Sequence, residues 1–136
     1  MLDKIIATFG ALFIILGFTM AGTLFCGMIG QWYAIENQAQ FLAASQGKYG
    51  GYTTEADEAL RDFCRDFKLD RSEIEVDVSA PGGPVPWGQT VTASITVPFK
   101  FQVGSFVATF TVPLTGYGRA VSSYQPDFYD VTYTSP

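Results

Sequence analysis

The sequence has no histidine and only two cysteines, Cys26 and Cys64, in 136 residues. Histidine is the commonest general base and a frequent metal ligand, and two cysteines are too few for a zinc site, a haem attachment motif or a disulfide framework. The carboxylates that could act in pairs, such as Glu75 and Asp77, alternate with apolar residues as on a half-buried strand. We therefore expect no catalytic residues, no metal and no cofactor, and predict that the chain is not an enzyme.

Charge is nearly absent from the N-terminal quarter. Only Asp3 and Lys4 precede Glu36, so the remainder holds 12 acidic and 7 basic side chains, one fewer of each than the 13 and 8 of the whole chain. That remainder carries the full net charge of −5, which repels nucleic acid. Its aromatic content is ample for one small core. We predict one folded domain and no nucleic-acid partner.

Residues 5–30 are apolar and uncharged. As a helix they would extend over roughly 39 Å, more than the roughly 30 Å of a bilayer's hydrocarbon core. A cleaved signal peptide is the alternative, but its apolar region is only about 7–15 residues long and follows a basic stretch. We predict a membrane-inserted helix. Lys4 and the N-terminal amine favour a cytoplasmic N-terminus with the domain outside.

Aromatic and small side chains mark this segment. Trp32 and Tyr33 follow its end, where rings favour the membrane interface; alternatively, they begin a soluble core. Small residues recur at four-residue steps, a spacing that lets a second helix approach closely within lipid, although glycine is also common in transmembrane helices generally. The candidate helix-packing residues are Ala7, Ala11, Gly17, Ala21, Gly22, Cys26 and Gly30.

Two helices are predicted. The first covers residues 1–46 and ends at Gly47, because an amphipathic pattern continues past the apolar segment as far as this glycine. The second covers residues 54–67, with Thr54 as its cap. Its apolar face comprises Ala56, Leu60, Phe63, Cys64 and Phe67. Cys26 and Cys64 are predicted to be small buried residues, too far apart for a disulfide. The Gly-Gly pairs at 50–51 and 82–83 indicate turns, because neither has the context of a phosphate-binding loop.

Alternating apolar and polar residues predict strands over residues 74–78, 90–101 and 105–114, with a further returning run at 117–124. A turn at 102–104 should join the second and third strands into an antiparallel hairpin. The helices are expected to cover the apolar face of the sheet, which gives an α+β fold with a head domain over residues 53–136. The tyrosine-rich tail should form a final edge strand; strand addition to a neighbouring subunit is the alternative.

This order of elements resembles the plan of type IV pilins and pseudopilins: an apolar, glycine-containing helix, its amphipathic extension, then a small antiparallel sheet domain. The stretches WYAIENQAQFLAASQGKYGG, VTASITVPFKF and TVPLTGYGRAV are similar to the TadE-like pilin group. The resemblance covers most of the chain. It implies a structural subunit of an extracellular, cell-surface filament that is inserted in the membrane before assembly, with copies of itself and the pilus assembly machinery as partners.

In that superfamily a short basic leader precedes the helix, and a Glu near the fifth mature position is thought to pair with a neighbour's N-terminal amine. Here Ile5 is apolar, so the resemblance leaves Asp3 as the candidate for that charge pairing. Either the numbering begins at the processed terminus, or the subunit is assembled without that processing. The alternative function is a membrane-anchored binding or adhesion module, in which the helix is only an anchor.

Overall fold

The computed structural model describes residues 1–101 and 109–136. It has the α+β arrangement that the sequence predicts, with a long apolar N-terminal helix, a short second helix and a three-stranded antiparallel sheet. The described residues divide into two compact units, Met1–Gln31 and Trp32–Pro136. In chain order the elements are α1 (Leu2–Tyr49), α2 (Thr54–Asp66), a short 3-10 helix (Arg71–Glu73), β1 (Glu75–Val78), β2 (Thr90–Phe101) and β3 (Phe110–Val121).

The unit Met1–Gln31 is the apolar part of α1. Within the described residues, α1 is the one helix long and apolar enough to cross a membrane, with a mean hydropathy of 2.2 over its most apolar 18-residue window. Its hydroxyl groups bond within the helix: those of Thr8 and Thr19 donate to carbonyls four residues earlier at 2.8 and 2.9 Å. Such bonds leave the hydroxyls with a partner where lipid supplies none. The segment is therefore compatible with membrane insertion.

Helix α1 ends later than predicted. It continues through Gly47 to Tyr49, and Gly50, with a φ of +78°, follows it in the left-handed conformation typical of a residue after a helix. Gly47 is buried within the helix, where a Cβ would lie 2.9 Å from the carbonyl oxygen of Val121. The glycine is needed there because strand β3 approaches closely.

The cap of α2 is Thr53 rather than Thr54. The backbone N–H of Ala56 donates to the Thr53 hydroxyl at 3.2 Å, so the helix begins one residue after its cap, at Thr54. Four of the five predicted apolar-face residues are buried: Ala56, Leu60, Phe63 and Cys64. Phe67, the fifth, lies just past the last helical residue and is 47% exposed, with its ring centroid 4.8 Å from that of Phe63.

The strand order is β1-β2-β3, with both pairs antiparallel. Strand β2 has the predicted bounds, and β1 begins one residue after the predicted start. The run at 117–124 is not a separate strand, because β3 continues unbroken from Phe110 to Val121. Inward positions of β3 are occupied by Gly116 and Gly118, which interrupt the apolar alternation and hid this continuity. The predicted turn at 102–104 and residues 105–108 of the predicted strand lie outside the described residues.

The core of the unit Trp32–Pro136 lies between one face of the sheet and the two helices. Ile35 and Leu42 of α1, Leu60 of α2 and Ile95 of β2 are fully buried. The opposite face of the sheet carries polar residues, and in its centre the hydroxyls of Thr96 and Thr115 are 2.9 Å apart. Both helices therefore cover a single face, as the sequence predicts.

The C-terminal tail is not an edge strand. It makes an isolated antiparallel bridge between Tyr133 and Thr53, in the connection from α1 to α2. The Tyr133 hydroxyl donates to the carbonyl of Tyr49 at 2.7 Å. The Tyr133 ring also lies so close to Gly51 that a Cβ on Gly51 would be only 2.9 Å from the nearest ring atom. The Gly-Gly turn that follows α1 thus makes room for the tail, and this pairing holds the tail away from the sheet edges.

Candidate assembly surface

The unit Met1–Gln31 is apolar, and nearly all of its described residues are exposed. Large side chains project freely from it, and Phe13 is 81% exposed. All seven predicted helix-packing residues, Ala7, Ala11, Gly17, Ala21, Gly22, Cys26 and Gly30, are exposed as well. At the glycines of this set, a Cβ would have no atom beyond the local helix within 4 Å. The small residues are accordingly open to a neighbouring helix or to lipid.

The two cysteines differ in their surroundings. Cys64 is buried on α2, where burial raises the pKa of its thiol. Cys26 is exposed on α1, so the prediction that both are buried was wrong for Cys26 in the single chain. Its small side chain lies on the apolar helix surface, which has no core to enter.

The candidate charge-pairing residue, Asp3, lies in the first turn of α1 and is exposed. A carboxylate at this end of a helix interacts favourably with the helix dipole. No ion pair joins it to another residue in the described part of the chain.

The aromatic pair at the end of the apolar segment is anchored on one side. The indole N–H of Trp32 donates to the carbonyl of Thr115 on β3 at 3.1 Å, and the ring is 38% exposed. Tyr33 is exposed beside it, with the two ring centroids 5.4 Å apart. Trp32 therefore belongs to the unit Trp32–Pro136 while still presenting part of its ring.

Helix α1 and strand β3 approach each other at backbone distance. A Cβ on Gly116 would lie 2.7 Å from the backbone nitrogen of Glu36, and one on Gly118 would overlap the carbonyl of Ala39. Real Cβ atoms do not approach so closely, so both positions require glycine. Sequence reasoning missed this contact; the signal was the Gly-Tyr-Gly sequence within a strand pattern.

Polar side chains of α1 occupy the outer edge of β3. The indole N–H of Trp32 donates to the carbonyl of Thr115, and the side-chain amide of Gln40 forms hydrogen bonds with both the N–H and the carbonyl of Arg119. A bare edge strand is a template for pairing with another chain, so these bonds close part of that edge.

A second amide, that of buried Gln46, donates to the Thr92 carbonyl at 3.2 Å and accepts from the Ala80 N–H at 3.1 Å. Neither glutamine was identified from the sequence.

Two concave surfaces lie within the unit Trp32–Pro136. One, of about 340 Å³, is lined by Pro84, Pro86, Trp87, Tyr124 and Pro126. The other, of about 310 Å³, lies between α1 and α2 beside Phe41 and Lys48. Among residues 1–101 and 109–136, no group of three His, Cys, Asp or Glu side chains could hold a metal ion.

No family model, curated protein or solved structure matches this chain. Within the described residues, the two parts of α1 differ: residues 32–49 pack against the sheet, whereas most residues of the unit Met1–Gln31 are exposed.

Proposed function

We propose that this chain is a structural subunit of a type IV pilus-like filament, most similar to the TadE-like pilins. The observation that carries the proposal is the uncovered surface of residues 1–31, which combines membrane-spanning length with exposed small residues at four-residue steps. A helix that only anchors a domain needs the length but not the pattern. Helix association inside lipid depends on such close packing.

In this proposal the helix serves twice. Before assembly it spans the membrane with the head domain outside; during assembly it leaves the bilayer and packs against copies of itself as the filament core. Transfer of the helix from lipid to a bundle of similar helices exchanges one apolar environment for another. How closely the helices pack therefore decides whether the membrane or the filament is favoured. The partners are other copies of the chain and an assembly machinery. No step requires catalysis.

Helix α1 suits this role because it is continuous from Leu2 to Tyr49. Within the unit Trp32–Pro136 it is fixed to the sheet by backbone-distance contacts at Gly116 and Gly118 and by the bonds of Trp32 and Gln40. A subunit that is pulled from a membrane by its helix needs a head that stays attached to that helix.

Electron microscopy of sheared surface material from cells that make the chain tests the proposal. We expect thin filaments that contain this chain, identified by mass spectrometry, and their loss when its gene is deleted. Membrane fractions in which the chain is abundant, together with sheared filaments that lack it, would contradict the proposal.

A second candidate is a membrane-anchored binding module, favoured by the cavity beside Trp87, where three prolines and two aromatic rings form an apolar surface. The variant Trp87→Ala separates the two functions. A filament subunit should keep its filament yield, because Trp87 lies in the head domain. If the chain is a binding module, cells that carry Trp87→Ala should lose their attachment to a surface, whether or not they make filaments.

A further inference from the structure

The two edges of the sheet differ. At the outer edge of β3, side chains of α1 bond to the backbone of Thr115 and Arg119. The opposite edge is formed by β1, which within the described residues pairs with β2 alone. A strand edge without such bonds presents backbone N–H and C=O groups with which another chain can pair. The edge of β1 is therefore the open side of the sheet.

The pairing with β2 determines which backbone groups of β1 face this edge. The N–H of Ser79 donates to the carbonyl of Thr92 at 3.0 Å, in the same register as the strand pair. In an antiparallel pair, alternate residues direct both backbone groups toward the neighbouring strand, and the residues between them direct both groups away. Asp77, two residues before Ser79, therefore bonds to β2, whereas Val76 and Val78 direct their N–H and C=O groups to the outer edge.

These outward groups have no partner within the chain as far as the structure describes it. Among residues 1–101 and 109–136, no hydrogen bond is made by the backbone of Val76 or Val78 on the side away from β2. Val76 is half-buried, and Val78 is only 8% exposed. Backbone groups that are partly withdrawn from water gain more from a new partner than fully exposed ones. An added strand would supply that partner.

The solvent-facing side of the same edge is negatively charged. Glu75 and Asp77 alternate with the valines and are exposed, and neither forms an ion pair within the described residues. Glu73, just before the strand, is different, because Lys100 neutralises its carboxylate at 2.9 Å. Two unpaired carboxylates therefore accompany the outward backbone groups.

These carboxylates restrict what can pair with the edge. If a second copy added its own β1 in the antiparallel register that joins Val76 to Val78, the two Asp77 side chains would lie directly opposite each other. Like charges in that position destabilise a sheet, whereas a basic side chain opposite each carboxylate stabilises it. A fitting segment therefore has Lys or Arg at alternate positions. No two basic residues stand two positions apart in this sequence, so it does not supply such a segment itself.

We propose that the edge of β1 binds an extended basic segment of another protein, which adds to the sheet as a further strand. Its basic side chains lie opposite Glu75 and Asp77, and the residues between them bond to the backbone of Val76 and Val78. In this mode of recognition main-chain bonds supply affinity and alternate side chains supply specificity. The proposal goes beyond the filament function and does not depend on it, because every residue that carries it belongs to the unit Trp32–Pro136.

A short peptide in which Lys and Val alternate tests this with the full chain in detergent micelles. A peptide of alternating Lys and Pro is the matched control, because it keeps the charges but lacks an N–H at every position that would face the valines. We expect the Lys-Val peptide to have a Kd about tenfold lower, measured by fluorescence anisotropy. Equal affinities would overturn the proposal, because they would show attraction between charges without strand addition.

A charge reversal locates the binding site. Asp77→Lys should weaken binding of the Lys-Val peptide severalfold, because it replaces an attraction with a repulsion. Glu58→Lys makes the same change of charge at an exposed residue of α2 and should have little effect. Equal losses of affinity in the two variants would overturn the assignment to β1.

Amide hydrogen exchange, followed by NMR, tests the edge without any substitution. In the free chain the N–H of Val76 should exchange faster than that of Asp77, and the Lys-Val peptide should slow exchange severalfold at Val76 and Val78 alone. If Val76 is already as protected as Asp77 in the free chain, the edge is covered and the proposal is overturned, whether or not the chain forms filaments. Protection that grows with protein concentration would also overturn it, because it would identify a second copy as the occupant.

Discussion

The side-chain amide of Gln40 makes both of its hydrogen bonds to one residue, Arg119. Its Nε2 donates to the Arg119 carbonyl at 3.0 Å, and its Oε1 accepts from the Arg119 N–H at 3.1 Å. In an antiparallel sheet, alternate residues of an edge strand direct both backbone groups away from the neighbouring strand. The helix therefore supplies, through one side chain, the pair of bonds that another strand would supply.

Loss of this amide should weaken the attachment of helix to sheet. We expect Gln40→Leu to lower the free energy of unfolding by about 1 kcal/mol, because two bonds are lost but both backbone groups remain near water. Asn37→Leu is the control, as Asn37 is exposed on the same helix. Urea unfolding in detergent micelles, followed by tryptophan fluorescence, measures both. Equal effects of the two variants would mean that the Gln40 bonds add nothing.

A methyl group at Gly118 should be more harmful. Gly118→Ala would push its Cβ into the Ala39 carbonyl, so either α1 or β3 has to move. Overpacking of this kind typically destabilises by about 1–3 kcal/mol. Gly82→Ala is the matched control, because nothing lies within 4 Å of a Cβ at that position. If both variants unfold at the same urea concentration, the close contact is not maintained in solution.

The elements that follow hydrophobic periodicity could be predicted from the sequence, and those set by close contact could not. Strand β2 has its predicted bounds because Val91, Ala93, Ile95 and Val97 alternate with polar residues and are all buried. Strand β3 was divided wrongly because its inward glycines carry no apolar signal. The end of α1 was misplaced for the same reason, since Gly47 is a packing glycine and not a helix terminator.

The residues of the candidate assembly surface also fall into some that could be predicted from the sequence and some that could not. The apolar helix is evident from composition, and its small residues are exposed in the structure. The Gln40 and Gln46 bonds depend on which strand lies next to which helix turn. Two glutamines in an amphipathic pattern do not reveal that, because solvent-facing glutamines look the same.

Alkaline pH should reduce stability through Tyr52. Its ring is fully buried, its hydroxyl donates to Asp57 at 3.1 Å, and burial is the main cause of a pKa raised far above the ordinary value of about 10. A pKa raised on folding contributes stability that is fully present below the unfolded value and is lost as the pH rises through the folded value. We therefore expect stability to fall above a pH of about 10.

The variant Tyr52→Phe isolates this effect. It should be less stable than the parent at neutral pH, because the bond to Asp57 is lost. Between about pH 10 and 12 its stability should fall less steeply, because the buried phenol no longer favours the neutral form. Unfolding curves across that range measure both slopes. Parallel slopes would show that Tyr52 does not contribute to the alkaline loss.

Bulk at the candidate helix-packing glycines should separate insertion from assembly. Gly22→Leu and Gly17→Leu replace exposed glycines at which a Cβ would meet no described atom beyond the local helix within 4 Å, so neither change should disturb the single chain, and leucine favours lipid. A neighbouring helix, however, would be held away by the added side chain. We expect membrane amounts to stay at the parent level and sheared filaments to be lost. Leu12→Ile, on the same exposed helix, should leave both unchanged. Parent-level filaments from Gly22→Leu and Gly17→Leu would mean that these two glycines do not form the helix contact.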